Sequence, residues 1–187
     1  MNFENDKKVF LNKLDKSKKK SIDKKIGKLV NLINSSPNYY TTSSCSGRVV
    51  LLEQKSYKKQ ETEWLFVSHN LVDFNQIKKN LKKLPKEEVW FKQEPLIIHV
   101  CCKKIEDAKI FLGIVRQLFK RTGIISIGKK ITIEVIGNEH LDTIIAKNKK
   151  LLVTEDYLNV LVEEANKKLE KNFKNIEMFY ILLKKIQ

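Results

Sequence analysis

The chain has 187 residues, 42% of them hydrophobic, a length that buries a core without help from a metal ion or disulfides. Its 37 Lys and Arg against 22 Asp and Glu give a formal net charge of +15, which favours a polyanionic partner such as RNA over a membrane surface. No apolar run approaches the roughly 20 residues that span a bilayer, and three cysteines, two of them adjacent, do not suit a disulfide framework.

The first half of the chain opens with a basic segment and then alternates helix and strand signals. Residues 1–20 contain no apolar stretch of the kind found in a secretory signal, so we expect a cytoplasmic protein. Apolar residues at helical spacing predict a helix over 22–34, with Ser21 as its N-cap. The next predicted elements are strands at 39–43, 48–52 and 64–68 and a helix over about 73–81.

The second half mixes the same two kinds of signal. Strand material over 89–100 is interrupted by Pro95, which does not fit the interior of a central strand, so two strands or a bulge are expected. The remaining predicted elements are a helix over 106–120, a hairpin of 124–127 with 131–136, a strand at 151–153 and a long helix from Thr154 to about 185. The mixture predicts one α+β domain, residues 1–187, with a mixed β-sheet and flanking helices.

Two stretches, about 38–82 and 121–185, share the order turn, strand, loop, strand, helix. The shared order suggests a β-β-β-α unit that is used twice. Chance is the alternative, because unrelated α+β proteins contain similar patterns.

A turn rich in small residues provides the first candidate binding site. Its members Ser44, Cys45 and Gly47 let backbone N–H groups approach a ligand closely. Arg48 follows with a planar fork that suits phosphate or carboxylate. An ordinary surface turn with an exposed arginine is the alternative reading of these four residues.

Aromatic and titratable residues near strand ends provide further candidates. His69 follows an apolar strand, where it could act as a base or hold a ligand oxygen. Trp64 could stack on a base or an adenine ring, although a core tryptophan is common. Glu94 is held extended by the proline after it, and His99 lies inside the next apolar strand, in a binding or a structural role.

Charged helix ends supply the last two candidates. Arg121 could contact a phosphate or simply complement a helix C-terminus, and Glu155 could receive a ribose hydroxyl or amino group or simply favour a helix N-terminus. No CxxC or HxxxH spacing is present, so we expect no metal site. A G-x-G-x-x-G word is also absent, which argues against a Rossmann-like nucleotide fold.

Together these segments resemble the wybutosine-synthesising protein 3 family. The specific part is Ser-Ser-Cys-x-Gly-Arg followed by Trp-x-x-x-x-His, and the resemblance covers roughly residues 21–180. Where the family carries an aromatic-Arg-x-Ser-Gly word, this chain has FKRTG at 119–123. The matching words are YYTTSSCSGRVVLL (39–52), WLFVSH (64–69), KQEPLIIHV (92–100), RTGI (121–124) and LLVTEDYLNVLVEEANKKLE (151–170).

The resemblance implies an S-adenosylmethionine-dependent methyltransferase of archaeal or eukaryotic type whose fold is not the usual methyltransferase sheet. Its partner is phenylalanine tRNA, and its target is position 37 in the anticodon loop, where a 4-demethylwyosine derivative is methylated on N4. On this hypothesis His69 accepts or relays the proton that the ring loses, and the other candidates bind cofactor or substrate.

The residues alone leave two other functions open. A non-catalytic RNA-binding module would bind tRNA strongly and salt-dependently without a methyl donor. A small-molecule enzyme would bind RNA weakly and unselectively, and its many lysines would reflect the habitat of the organism.

Overall fold

The computed structural model describes residues 2–12, 22–55, 62–128 and 130–185. The predicted N-cap Ser21 and residues 13–20 of the basic segment lie outside this part of the chain. The elements are α1 (Phe3–Leu11), α2 (Gly27–Ser35), β1 (Tyr39–Cys45), β2 (Arg48–Gln54), β3 (Thr62–Ser68), α3 (Phe74–Asn80), β4 (Glu88–Glu94), β5 (Ile97–Cys102), α4 (Ile105–Val115), β6 (Arg121–Ile127), β7 (Ile131–Ile136), β8 (Leu141–Lys147), β9 (Lys150–Leu151) and α5 (Glu155–Lys184).

The strands form two sheets, and each pair among the described strands is antiparallel. Sheet A has the order β1-β5-β7-β6, and sheet B has the order β3-β2-β4-β8-β9. The predicted α+β class is confirmed, and the architecture is not Rossmann-like. The sheets differ from the mixed sheet we expected, because the hairpins β2–β3, β6–β7 and β8–β9 set an antiparallel direction and parallel pairs need long crossovers.

The chain forms two compact units that interleave along the sequence. Unit 1, which contains sheet A, comprises Met1–Ser46, Leu96–Asn138 and Phe173–Gln187. Unit 2, which contains sheet B, comprises Gly47–Pro95 and Glu139–Asn172. The half-units suggested by the sequence each contribute strands to both sheets, and the duplication stays a prediction.

Two helices are shorter than their periodicity predicts, because side chains hold the flanking backbone. Helix α2 begins at Gly27 because Asp23, just before it, accepts hydrogen bonds from the amide and hydroxyl of Ser46 at 3.0 and 3.3 Å. Helix α4 ends at Val115 because Asn138 bonds the carbonyl of Leu118 and the amide of Lys120 at 2.7 and 3.2 Å. In both cases a hydrogen bond to a residue distant in the sequence holds the chain next to the helix in a non-helical path.

The observed ends of strands β1 and β6 also differ from the predicted ends, in both cases at a segment rich in small residues. Strand β1 runs on to Cys45, and β6 already begins at Arg121, so Gly123 lies within a strand instead of a turn. The predicted interruption at Pro95 is confirmed as the break between β4 and β5. Thr154 is the predicted N-cap of α5, and its hydroxyl accepts the amide of Tyr157 at 3.2 Å.

The core of unit 1 lies on one side of sheet A. Alternate residues of β5 and β7 contribute Ile98, Val100, Ile133 and Val135, all fully buried. The helices contribute Leu29, Val30, Ile33, Ala108, Phe111 and Val115, together with Phe179 of α5. On the other side of sheet A, Phe3 and Phe10 of α1 pack against Tyr40, and polar residues lie farther along the strands.

Unit 2 buries one face of sheet B, including Val49, Leu51 and Phe91. Its part of α5 buries residues at helical spacing: Leu158, Leu161, Val162, Ala165 and Leu169. Asn166 of this helix bonds both the amide and the carbonyl of Val72, at 3.0 and 2.7 Å. Among the described helices of the whole chain, none is long and apolar enough to cross a membrane.

Candidate functional site

Five predicted site residues are joined by contacts in unit 2, and we call them the Arg48 cluster: Gly47, Arg48, Trp64, His69 and Glu94. Arg48 begins β2 and pairs in register with Glu94 at the end of β4, so the two side chains share a face of sheet B. Arg48 Nε donates to Glu94 Oε2, and the guanidinium carbon lies 4.2 Å from the centre of the Trp64 ring. A carboxylate and an aromatic face therefore hold the planar fork in place.

His69 follows β3 directly and bonds to the backbone just before Arg48. Its Nδ1 lies 3.1 Å from the carbonyl oxygen of Gly47. Because a carbonyl oxygen only accepts hydrogen bonds, Nδ1 carries the proton of the neutral ring and Nε2 carries the lone pair. Nε2 is therefore the atom through which His69 can accept a proton.

Gly47 has a backbone that other residues rarely adopt. Its φ is +92°, in the region that favours glycine. A Cβ at this position would lie 2.8 Å from Nδ2 of Asn172 and 2.9 Å from the carbonyl oxygen of Glu94. Both features require glycine, and together they fix the carbonyl to which His69 bonds.

The charges of the Arg48 cluster suit a ligand that carries both signs. Glu94 already balances the guanidinium of Arg48, which weakens its attraction for a lone phosphate. A zwitterion fits better, because its carboxylate and its ammonium can be received by the arginine and the glutamate. Gln93, which precedes Glu94 on β4, pairs with Val49 and points to the opposite, buried face of sheet B. Its Nε2 donates to the Glu94 carbonyl at 3.0 Å, while its Oε1 has no hydrogen-bond partner in the described chain. A buried acceptor of this kind is costly unless a donor reaches it.

Three other predicted residues, Cys45, His99 and Arg121, share the side of sheet A that is opposite its core. We call this side the open face of sheet A. The register places two neighbouring rows across β1, β5, β7 and β6: Cys45, Ile97, Ile136 and Arg121 in one, and Ser43, His99, Glu134 and Gly123 in the next.

Hydrogen bonds connect three members of the second row. His99 Nε2 lies 2.7 Å from Glu134 Oε2, and His99 Nδ1 lies 2.9 Å from Ser43 Oγ. Since a carboxylate only accepts, the neutral ring donates from Nε2 and accepts the Ser43 hydroxyl at Nδ1. The side chains of His99 and Glu134 are each 29% exposed, so this hydrogen-bonded row faces solvent and not the core.

Two predicted residues are not brought into either group. Ser44 pairs with Ile98 and therefore points to the core side of sheet A, opposite Cys45. Glu155 begins α5 and accepts from Lys78 Nζ at 2.8 Å, with no contact to the Arg48 cluster among the described residues of unit 2. The binding roles assigned to these two residues from the sequence stay predictions.

Sequence reasoning missed Ser43, Glu134, Gln93 and Asp23. Glu134 had a readable signal, because it is the lone acid in the apolar strand ITIEVI at 131–136. Ser43 could be found from the period of two, which places it on the same side of β1 as Cys45. Nothing in the sequence around Asp23 or Gln93 marks either residue, because Asp23 bonds to the distant Ser46 and Gln93 is distinguished only by its burial.

Comparison with known proteins gives one consistent result. Residues 5–185 match the family model described as methyltransferase TYW3. The chain is 39% identical over 176 residues to a tRNA wybutosine-synthesizing protein 3 homolog of Danio rerio, covering 90% of this chain and 69% of that protein. It is 35% identical over 174 residues to a Pyrococcus horikoshii protein named tRNA(Phe) 7-((3-amino-3-carboxypropyl)-4-demethylwyosine(37)-N(4))-methyltransferase 1, covering 91% and 89%. A solved structure of a Pyrococcus horikoshii protein superposes with a TM-score of 0.90 at 33% identity, covering 97% and 96%.

Proposed function

The chain belongs to the methyltransferase TYW3 family, and we propose that S-adenosylmethionine is its methyl donor and position 37 of phenylalanine tRNA its target, in the cytoplasm. The chain is a tRNA methyltransferase of wybutosine biosynthesis. The proposed acceptor is N4 of a 4-demethylwyosine derivative, the base for which the archaeal relative is named. The alternative of a non-catalytic RNA-binding module has no support from these relatives.

The distribution of charge supports a tRNA partner. Unit 1 contains 21 Lys and Arg against 8 Asp and Glu, whereas unit 2 contains 16 against 14. Almost all of the net charge of +15 is therefore carried by unit 1. Lysine-rich surfaces bind phosphate backbones through charge and release of counterions, so unit 1 is the unit we expect to meet the tRNA backbone.

The Arg48 cluster fits the proposed donor. Arg48 would receive the carboxylate at the methionine end, and Glu94 would receive the ammonium group. Trp64, which is 37% exposed, offers aromatic surface to an adenine ring. When bound, S-adenosylmethionine supplies a methyl group on a sulfonium, which needs no metal ion and no covalent protein intermediate.

His69 has the chemistry to receive the released proton. Methylation of a ring N–H forms an N–C bond, breaks the S–C bond and frees the N–H proton. Nε2 of His69 is the acceptor because Nδ1 already donates to the Gly47 carbonyl. Holding the base and the donor in line supplies the remaining rate enhancement. The observation that carries this proposal is the fixed Arg48–Glu94–Trp64 arrangement next to the His69–Gly47 hydrogen bond.

Titration calorimetry tests the donor assignment. The purified chain is titrated with S-adenosylmethionine, first alone and then with phenylalanine tRNA from a strain that lacks this gene. We expect saturable heat from the donor and salt-dependent binding of the tRNA. Tight tRNA binding without any donor heat would contradict the proposal and favour the RNA-binding module.

A further inference from the structure

Glu134 lies beside an unfilled position on the open face of sheet A. Its register partner on β6 is Gly123, whose missing side chain leaves nothing above that point of the strand. A Cβ built on Gly123 meets no heavy atom within 4 Å. A ligand group can therefore approach the Glu134 carboxylate over the glycine.

The Glu134 carboxylate is held in position and keeps an acceptor for a ligand. Its Oε2 accepts from His99 Nε2 at 2.7 Å, and Ser43 fixes the other side of the ring through Nδ1 at 2.9 Å. Among the described residues, Oε1 has no hydrogen-bond or ion-pair partner. A carboxylate oxygen that keeps its lone pairs available is a good acceptor for an ammonium group.

Arg121 adds a positive charge on the same face. It stands two residues before Gly123 on β6, is exposed, and lies opposite Ile136, which is two residues beyond Glu134 on β7. Diagonal neighbours of this kind lie about 7–8 Å apart, within reach of a long side chain. Glu134 and Arg121 thus present an acceptor for a cation and a planar fork for a carboxylate on either side of an open glycine.

We propose that Glu134, Arg121 and Gly123 form a subsite for an α-amino-acid group, with His99 and Ser43 holding the carboxylate in position. This inference rests on the proposed function, in which Arg48 and Glu94 already receive the methionine end of the donor. The α-amino-acid group left for this subsite is the 3-amino-3-carboxypropyl arm of the position-37 base. The subsite makes this chain selective for a base that carries the arm over one that lacks it.

The test measures binding by the full chain and two variants. Two phenylalanine tRNAs are compared, one whose demethylated position-37 base bears the arm and one whose base lacks it. S-adenosylhomocysteine, which has an amino-acid end, is compared with methylthioadenosine, which has none. The variants are Glu134→Gln, which keeps the shape and removes the charge, and Gly123→Val, which fills the approach with a side chain that strands tolerate.

The matched control is Glu106→Gln, which removes an exposed carboxylate from α4 of the same unit. If the arm is the ligand, both variants weaken binding of the armed tRNA on the order of tenfold or more and leave the other tRNA unchanged. If the variants instead erase the preference for S-adenosylhomocysteine over methylthioadenosine, the donor end is the ligand of this subsite and the proposal is overturned. The control changes neither preference.

The proposal is also overturned if both variants keep the preference of the unaltered chain for the armed tRNA, or if that chain has no such preference. A failure of the proposed function looks different. In that case the unaltered chain binds no donor and methylates neither tRNA.

Discussion

His69 donates a hydrogen bond from Nδ1 to the carbonyl oxygen of Gly47 at 3.1 Å, and this contact sets the tautomer of the only histidine in the Arg48 cluster. The bond joins the residue after β3 to the residue before β2. The position of this carbonyl depends on the backbone of Gly47, the one glycine of the described chain that has a positive φ. The Gly47 carbonyl thus orients the ring so that Nε2 is the proton acceptor.

His69→Ala should lower the turnover number by roughly 100- to 10,000-fold, the range for loss of a general base. Affinity for phenylalanine tRNA should stay nearly unchanged, because the proposed role is in chemistry and not in binding. Single-turnover methylation and an equilibrium tRNA titration measure the two quantities. His140→Ala, at an exposed position of unit 2, is the control and should change neither. A large loss of tRNA affinity with normal turnover would rule out the assignment.

Gly47→Ala should destabilise the fold. The substitution must adopt φ +92° and place a Cβ 2.8–2.9 Å from Asn172 and the Glu94 carbonyl. A cost of about 1–3 kcal/mol in the free energy of unfolding is expected. Urea denaturation measures it, and Gly113→Ala in α4, where a Cβ meets nothing within 4 Å, should be neutral or slightly stabilising. Equal effects of the two changes would contradict this account of Gly47.

Arg48→Lys should weaken binding of the methyl donor about tenfold, a change of about 1.4 kcal/mol. The lysine keeps the charge but loses the planar fork and the stacking on Trp64 at 4.2 Å. Calorimetry with S-adenosylmethionine gives the affinity. Lys92→Ala is a close control, because Lys92 also lies over a tryptophan, Trp90, at 4.9 Å and pairs with an acid on sheet B. If both substitutions weakened donor binding equally, Arg48 would have no special role.

Cys45 and Cys102 should differ sharply in reactivity. Burial raises the pKa of the Cys102 thiol from 9.0 to about 12. Because the thiolate is the reactive form, its population at pH 8 falls by roughly a thousandfold, and alkylation should wait for unfolding. Cys45 is only half-buried on the open face of sheet A and should be alkylated first in the native protein. Mass spectrometry of peptides after brief iodoacetamide treatment measures this order, and early modification of Cys102 would contradict it.

Local sequence patterns predicted the fold where periodicity is strong. Residues 48–52 and 64–68 alternate or cluster apolar side chains and lie within β2 and β3, and the capped start of α5 was readable at Thr154. Strand β8, Leu141–Lys147, was missed, because its apolar run is short and its pairing with β4 lies far away in the sequence. The predicted helix ends were wrong where a side chain distant in the sequence holds the flanking backbone, as Asn138 does after α4.

The same division applies to the candidate site. The motif Ser-Ser-Cys-x-Gly-Arg with Trp-x-x-x-x-His identified Arg48, Trp64 and His69 from the sequence. In the structure, contacts among neighbouring strands bring these residues together. The row that contains His99 and Glu134 needed the register of sheet A, which no local pattern supplies. Arg121 reaches that face because β6 begins earlier than its glycine suggested. Cross-strand register is therefore the information that the sequence alone did not provide.

The most direct test of the central claim is the mass of the nucleoside at position 37. Phenylalanine tRNA from a strain lacking this gene is incubated with the chain and S-adenosylmethionine, then digested and measured by mass spectrometry. The account predicts a gain of one methyl group at position 37, with N4 as the site and no gain when the donor is omitted. An unchanged mass at position 37, with donor and tRNA both bound, would contradict it.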